Sequence, residues 1–208
     1  MKTLELFCGR KSFSKVFDKY GHKTTTTDID PIFNPDIVKD ILELNVCDIG
    51  LYDIIWASPP CETFSVASIG HHWNKDNTPK TKECILGMKI LDKTIQIISE
   101  LKPKYFFIEN PRGKMRKVID DIFKKYGIEY KRETICYCRY GDTRMKPTDI
   151  WTNCFEYKPI DKMCFNGCSD HIAAPRGSRT GTQGLKDYET RSEIPEKLIE
   201  EIYNTLSN

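Results

Sequence analysis

Cys61 follows two prolines in Ser58-Pro59-Pro60-Cys61, and the polar stretch it opens runs on to Ser65. The residues before it, Tyr52-Asp53-Ile54-Ile55-Trp56-Ala57, form an apolar run that reads as a buried parallel strand. A structural cysteine belongs inside such a run. This one stands where the strand gives out, at the carboxyl end where open α/β sheets bind their ligands. A thiol there can act as a nucleophile, provided that its pKa is lowered enough to populate the thiolate near neutrality. Two more strand-like runs end in useful chemistry. Leu4-Glu5-Leu6 leads into Phe7-Cys8-Gly9, where a glycine lets backbone amides approach a ligand closely. Tyr105-Phe106-Phe107-Ile108 leads into Glu109-Asn110-Pro111, which sets a carboxylate at a strand end.

The elements that must carry these residues alternate between strand and helix, which predicts an α/β fold with a mostly parallel sheet and helices on both faces. Strands are expected at 3–7, 23–28, 53–57, 104–109, 128–138 and 148–153. A helix is expected over 12–20 with Ser12 as its N-cap and Gly21 as its end. Met88, Leu91, Ile95 and Ile98 mark a helical stripe within 83–101. A further helix over 114–126 closes at Gly127, and the chain ends in a helix after Pro195. Residues 154–192 are rich in Gly, Cys, Pro and charge and show no period. The expected organisation is a core over 1–153, a small irregular segment over 154–190, and a terminal helix over 191–208 that packs back on the core.

Composition narrows the classes without choosing among them. The 208 residues are 39% hydrophobic and 30% charged, ordinary values for one globular domain. No apolar run approaches the roughly 20 residues needed to span a bilayer. The start has no secretory pattern, so the nine cysteines read as reduced thiols of an intracellular, cytoplasmic or nuclear protein. Net charge is only +2, but basic residues cluster at Arg112, Lys114, Arg116 and Lys117, and again at Arg139, Arg144 and Lys146. Such clusters can hold phosphates; they can equally be solvated faces.

Three motifs, Leu6-Phe7-Cys8-Gly9, Pro60-Cys61 and Glu109-Asn110, occur in the order seen in the cytosine-5 DNA methyltransferase family, which the chain resembles over nearly its whole length. The resemblance implies a Rossmann-like methyltransferase fold, S-adenosyl-L-methionine as cofactor and DNA as partner, with the target base flipped into the site. It implies that Cys61 is the nucleophile and that Glu109 acts on the cytosine edge, with Lys146 assisting where a glutamine and two arginines usually stand. Arg144 and Lys146 align loosely with that pattern, whereas Thr148 departs from it. On the cofactor side the resemblance assigns Phe7, Cys8, Gly9, Asp28, Ile29, Asp40, Ser58, Pro59 and Ser192. On the substrate side it assigns Pro60, Ser65, Asn110, Pro111, Arg139 and Arg144. RNA as the substrate and a catalytically silent nucleic-acid-binding subunit are the alternative readings.

The family usually inserts a sizeable target-recognition region before its last motif, and here only the stretch between Asn153 and Arg191 is available. A short or relaxed target is therefore expected, read by the basic loop Ala174–Gly181 or by a partner chain. Arg191 stands where the family presents a neutral residue near the cofactor sulfonium, so it must pair with a carboxylate, turn away, or meet a carboxylated cofactor. No metal site is assigned. Cys154, Cys164, Cys168 and His171 could supply four zinc ligands, but their C-x9-C-x3-C-x2-H spacing matches no standard finger and arises by chance in a cysteine-rich chain.

Overall fold

A computed structural model describes residues 1–160, 163–165, 167–173, 190 and 192–207. The ordered elements begin with β1 (Lys2–Leu6), α1 (Ser12–Lys19), β2 (Lys23–Asp28), β3 (Ile37–Val38) and α2 (Val46–Ile49). They continue through β4 (Ile54–Ala57), α3 (Ile69–His72), α4 (Lys82–Leu101), β5 (Tyr105–Pro111) and α5 (Ile119–Tyr126). The last are β6 (Lys131–Cys136), β7 (Pro147–Thr152) and α6 (Glu196–Ser207). The seven strands form one sheet in the order β3-β2-β1-β4-β5-β7-β6. β1 to β5 pair in parallel, and β7 runs antiparallel to both β5 and β6. The connections fan out from β1 towards β2 on one side and β4 on the other, which creates a switch point at their carboxyl ends.

The strand pleat sorts side chains onto two cores. Ile55, Ala57, Phe106 and Ile108 meet Leu91, Ile95 and Ile98 of α4 and Phe123 of α5. Ile54, Trp56 and Phe107 face the other way, towards Phe13 and Phe17 of α1 and Leu198, Ile199 and Ile202 of α6. The same alternation along β5 sends Glu109 to the face of Phe107 and Asn110 to the opposite one. Threonines fill β2, where β-branched side chains suit the pleat, and Thr3 and Thr24 hydroxyls bond across the β1–β2 pair at 2.7 Å. Thr81 caps α4 by accepting from the Cys84 N–H. Gly21 and Gly127 take up positive φ of 78° and 63° just past α1 and α5, as their types require. Among the described residues no helix is long and apolar enough to cross a membrane.

Three local expectations are corrected. The helix expected over 114–126 is a 3₁₀ turn at Lys114–Lys117 followed by α5. Its first turn is pulled off the helical path because the Lys114 N–H donates to Phe64 O at 2.7 Å and Arg116 is held by Asp149. The strand expected over 128–138 ends at Cys136, and a 3₁₀ turn carries Tyr137–Tyr140 to Gly141. Ser12 is not the cap of α1 either; that place belongs to Lys11, in the left-handed region and without a side-chain cap bond.

The buried Glu5 of β1 does the capping instead, accepting from the Phe13 and Ser14 N–H groups at 3.1 and 3.0 Å. A carboxylate at a helix N-terminus is favourable, yet full burial pushes the Glu5 carboxyl up from 4.5 to about 7. The folded chain thus holds this proton more tightly than the unfolded chain. Its contribution to stability is complete below pH 4.5 and is lost as pH rises through about 7. We expect unfolding free energy to fall across that window by up to about 3 kcal/mol. Denaturant titrations over the window should lose this slope in Glu5→Gln; an unchanged slope would remove Glu5 as its source.

Candidate active site

The carboxyl ends of β1, β2, β4 and β5 lie side by side, and each carries one of the residues singled out above. After β1 the chain turns sharply: Phe7, Gly9 and Lys11 have φ of 59°, 43° and 59°. For phenylalanine and lysine that region costs on the order of 1 kcal/mol each. The turn is held by Cys8 N–H to Thr27 O at 2.9 Å and by Gly9 N–H to Asp28 Oδ2 at 2.9 Å. Asp28 also accepts from the Asp30 N–H, so its carboxylate organises the ends of both strands. A side chain built on Gly9 would meet no atom within 4 Å, so open space lies over this turn.

That space is a cavity of about 250 Å³ lined by Phe7, Cys8, Gly9, Asp28, Ile29, Ser58 and Ser192. Phe33 and Pro60 also line it, with Arg10, Ser12, Asp30 and Ile194; Phe33 was not foreseen, because nothing in its local sequence points to the cavity. Two residues expected on this side are not among its lining. Asp40 caps the short turn Ile41–Glu43, its Oδ1 accepting from the Leu42 N–H at 2.9 Å. Pro59 is buried and turns its carbonyl towards Asn110. The Cys8 thiol is buried and pushed up to about 12 by desolvation and by the Glu5 and Asp28 charges, so it stays protonated.

Beside the cavity, Cys61 leaves β4 half-buried, and its carbonyl accepts from the Phe64 and Ser65 N–H groups to start the following turn. Ser65 pairs with Gly113 in an isolated bridge, which draws this loop against the end of β5. Gly113 must be glycine there: a Cβ would lie 2.1 Å from the Phe64 carbonyl oxygen. Asn110 reaches across from β5 and donates through Nδ2 to Pro59 O at 2.8 Å, clamping the proline loop onto its neighbour. Its Oδ1 is buried without a hydrogen-bond partner among the described residues.

Glu109 is only 5% exposed, and Oε1 accepts from the Tyr137 hydroxyl at 2.7 Å. Burial and the adjacent carboxylate raise the Tyr137 phenol well above its usual range, so it remains a donor and fixes the rotamer of Glu109. Tyr137 was missed from sequence because a tyrosine ending an apolar strand looks like core. Lys146 lies with Nζ 4.7 Å from the Tyr137 ring centre. The Cys61 thiol is pushed up by burial, drawn back down by the Lys146 charge, and raised again by Glu109 and Glu62. The lowered pKa expected of Cys61 is therefore not a property of the free chain. Desolvation outweighs the opposing Lys146 charge.

The other basic residues are engaged elsewhere. Arg144 is buried, forks onto Asp142, and donates to the carbonyls of Thr190 and Glu193 at 2.8 Å each. It braces the loop after Tyr140 to the segment before α6. Arg139 pairs with Asp170 at 2.5 Å and packs over Phe165. Thr148 is fully buried opposite Pro111, donating to the Lys146 carbonyl at 3.2 Å. In the other basic cluster, Arg116 is held by the buried Asp149, and Lys114 bonds to Asn77; only Arg112 and Lys117 remain exposed. Arg191 and the loop 174–181 lie outside the described residues.

The family model for C-5 cytosine-specific DNA methylases matches residues 1–129. A curated protein of Frog virus 3, "Probable DNA (cytosine-5)-methyltransferase", is 29% identical over 196 residues, covering 88% of this chain and 82% of its own. Among solved structures, a DNMT2 variant of Spodoptera frugiperda superposes with a TM-score of 0.51 at 19% identity, over 83% of this chain and 57% of that one. The Entamoeba histolytica methyltransferase EhMeth gives 0.53 at 17% identity, over 78% and 56%. The chain thus spans just over half the length of these two structures, and at such identity they support the fold alone. A match across more than half of the chain, over the β1, β4 and β5 ends that build this cleft, makes it a member of the C-5 cytosine-specific DNA methylase family.

Proposed function

We propose that the chain transfers a methyl group from S-adenosyl-L-methionine to carbon 5 of cytosine in DNA, with Cys61 as covalent nucleophile. The observation that carries this reading is that Cys61, in the loop after β4, and Glu109 of the neighbouring β5 lie at the same edge of the sheet, next to a cavity walled by Phe7, Asp28 and Ile29. The cavity suits the cofactor. Phe7 and Ile29 offer apolar faces for an adenine, Asp28 a carboxylate for ribose hydroxyls, and the turn at Gly9 free space. When bound there, the cofactor supplies an electrophilic methyl group.

Carbon 5 of cytosine is weakly nucleophilic because its ring is aromatic. Addition of the Cys61 thiolate to carbon 6 breaks that aromaticity and makes carbon 5 enamine-like. Glu109, held by Tyr137, faces the base edge and stabilises a proton on the ring nitrogen during attack. Once the methyl group is bonded to carbon 5, the carbon-5 proton passes to solvent and the bond from carbon 6 to sulfur breaks, which returns the Cys61 thiolate and restores the ring. Since burial keeps the free thiol protonated, deprotonation is coupled to substrate entry, with Lys146 as the favourable charge beside it. A target carbon inside a duplex is out of reach, so the base is flipped out against Pro60, Ser65 and Pro111. On this reading residues 1–153 are the catalytic core, 154–190 a small recognition-like segment, and 191–208 the return to the core.

The test offers plasmid DNA and total RNA separately to the purified chain and cofactor, and digests both for nucleoside mass spectrometry. We expect 5-methyl-deoxycytidine in DNA with wild type and none with Cys61→Ala. Product confined to RNA would overturn the DNA assignment. Absence from both would favour the silent subunit.

A further inference from the structure

Cys138, Cys164, Cys168 and His171 bring three thiols and an imidazole together, their ligand atoms all within 4.8 Å of one another. The set differs from the one that sequence spacing suggested. Cys154 is sealed in the core behind β7, 1% exposed, with its Sγ towards Glu156. Its place is taken by Cys138, buried in the 3₁₀ turn after β6 and far from the other three in sequence. Cys164 Sγ lies 3.5 Å from His171 Nδ1. Ligand atoms around one tetrahedral zinc, about 2.0–2.3 Å from the ion, sit about 3.5–3.8 Å apart. The group is therefore close to the size of a closed zinc site.

Among the described residues, the segment that carries three of these ligands has little packed apolar surface to order it. Residues 163–165 and 167–173 form neither helix nor strand, and Phe165 and Ile172 are 59% and 63% exposed. Burial of apolar surface therefore does not hold this segment in place. Gly167 at φ 83° turns the chain between Cys164 and Cys168, so that both sulfurs face Cys138. Three further contacts seat the segment over the same turn: Ile172 N–H to Thr143 O at 2.9 Å, Arg139 to Asp170, and Arg139 over Phe165. Small loop-built regions that cannot form a core commonly rely on a metal for their order.

We propose that Cys138, Cys164, Cys168 and His171 bind one structural zinc ion, which staples the segment after β7 to the 3₁₀ turn behind the active site. Three sulfurs and one nitrogen select zinc over hard cations, and four protein ligands leave no open position for catalysis. Binding replaces three thiol protons by Zn²⁺, and His171 coordinates through Nδ1 while Nε2 keeps its proton. The site also has a structural consequence. Cys138 is adjacent to Tyr137, whose hydroxyl holds Glu109, so the ion anchors the back wall of the cleft and the start of the recognition-like segment together. The metal assignment itself does not depend on the proposed activity.

The test uses the full chain, purified without a histidine tag, and reads zinc by inductively coupled plasma mass spectrometry. Wild type should carry about one zinc per chain, falling below about 0.2 in Cys138→Ser and in Cys164→Ser. Cys154→Ala and Cys47→Ser should keep it, and His171→Cys should keep it through a fourth sulfur. Should the serine variants fail to fold, cobalt exchange into wild type gives an independent answer: thiolate-to-cobalt charge transfer and tetrahedral ligand-field bands. Full zinc in Cys138→Ser would overturn the proposal, as would iron in its place. So would a metal-free wild type with all nine cysteines titrating as free thiols, or with two missing as a disulfide.

Discussion

Duplex DNA carrying 5-fluorocytosine is expected to stay attached to the wild-type chain through denaturing electrophoresis when cofactor is present, and to be released by Cys61→Ala. Fluorine cannot leave carbon 5 as a proton does, so the adduct formed by the Cys61 thiolate at carbon 6 accumulates after methyl transfer. Cys8→Ala serves as the control. Cys8 lies at the end of the neighbouring strand, but its buried thiol is pushed up to about 12, and it should not form the adduct. Removing the nucleophile of a covalent mechanism costs on the order of 10⁴-fold or more in turnover. An adduct that survives in Cys61→Ala, or that never forms in wild type, would take the nucleophilic role from Cys61.

Glu109→Gln is expected to lower turnover by about 10²–10⁴-fold while cofactor affinity stays within experimental error, because its carboxyl acts on the base and not on the cofactor. Tyr137→Phe should show a weaker form of the same phenotype. It removes one hydrogen bond to a buried carboxylate, worth about 1.5–3 kcal/mol, or roughly tenfold to a hundredfold. Asp28→Ala should do the opposite, weakening cofactor binding in calorimetry through loss of the Asp28 carboxylate and of its hold on the Gly9 N–H. Interchanged phenotypes would show that the strand ends are wrongly divided between cofactor and substrate. Full activity in Tyr137→Phe would make that hydrogen bond irrelevant to catalysis.

The residues at strand ends were legible because their signal is local. A buried strand announces itself as a short apolar run, and the break after it tells which side chains reach the carboxyl edge of the sheet. Gly9, Cys61 and Glu109 were read this way, and the structure sets them just past β1, just past β4 and within β5, whereas Asp28 and Ser58 came from the family resemblance. The partners of the charged residues could not be found this way. Arg144 and Arg139 both sit in the loop region that resembles a substrate-binding motif. One is held by the carbonyls of Thr190 and Glu193 ahead of α6, with Asp142 two residues away completing the fork, and the other by Asp170. A guanidinium bonds to whatever acceptor the folded chain sets beside it, and acceptors distant in sequence leave no local trace.

Sequence by itself determined the α/β alternation, the order of the functional strand ends, the cysteine at the end of β4 and the carboxylate at the end of β5. Each follows from hydrophobic period and chain breaks within a few residues. Tertiary structure alone decided which groups those residues meet. The reversed direction of β7 brings Thr148 against Pro111, and the turn after β6 sets the Tyr137 hydroxyl on Glu109. The same turn makes Cys138 rather than Cys154 the neighbour of Cys164, Cys168 and His171. It also falls to the fold to keep the Cys61 thiol protonated, since desolvation depends on what packs around a group and not on what precedes it in the chain.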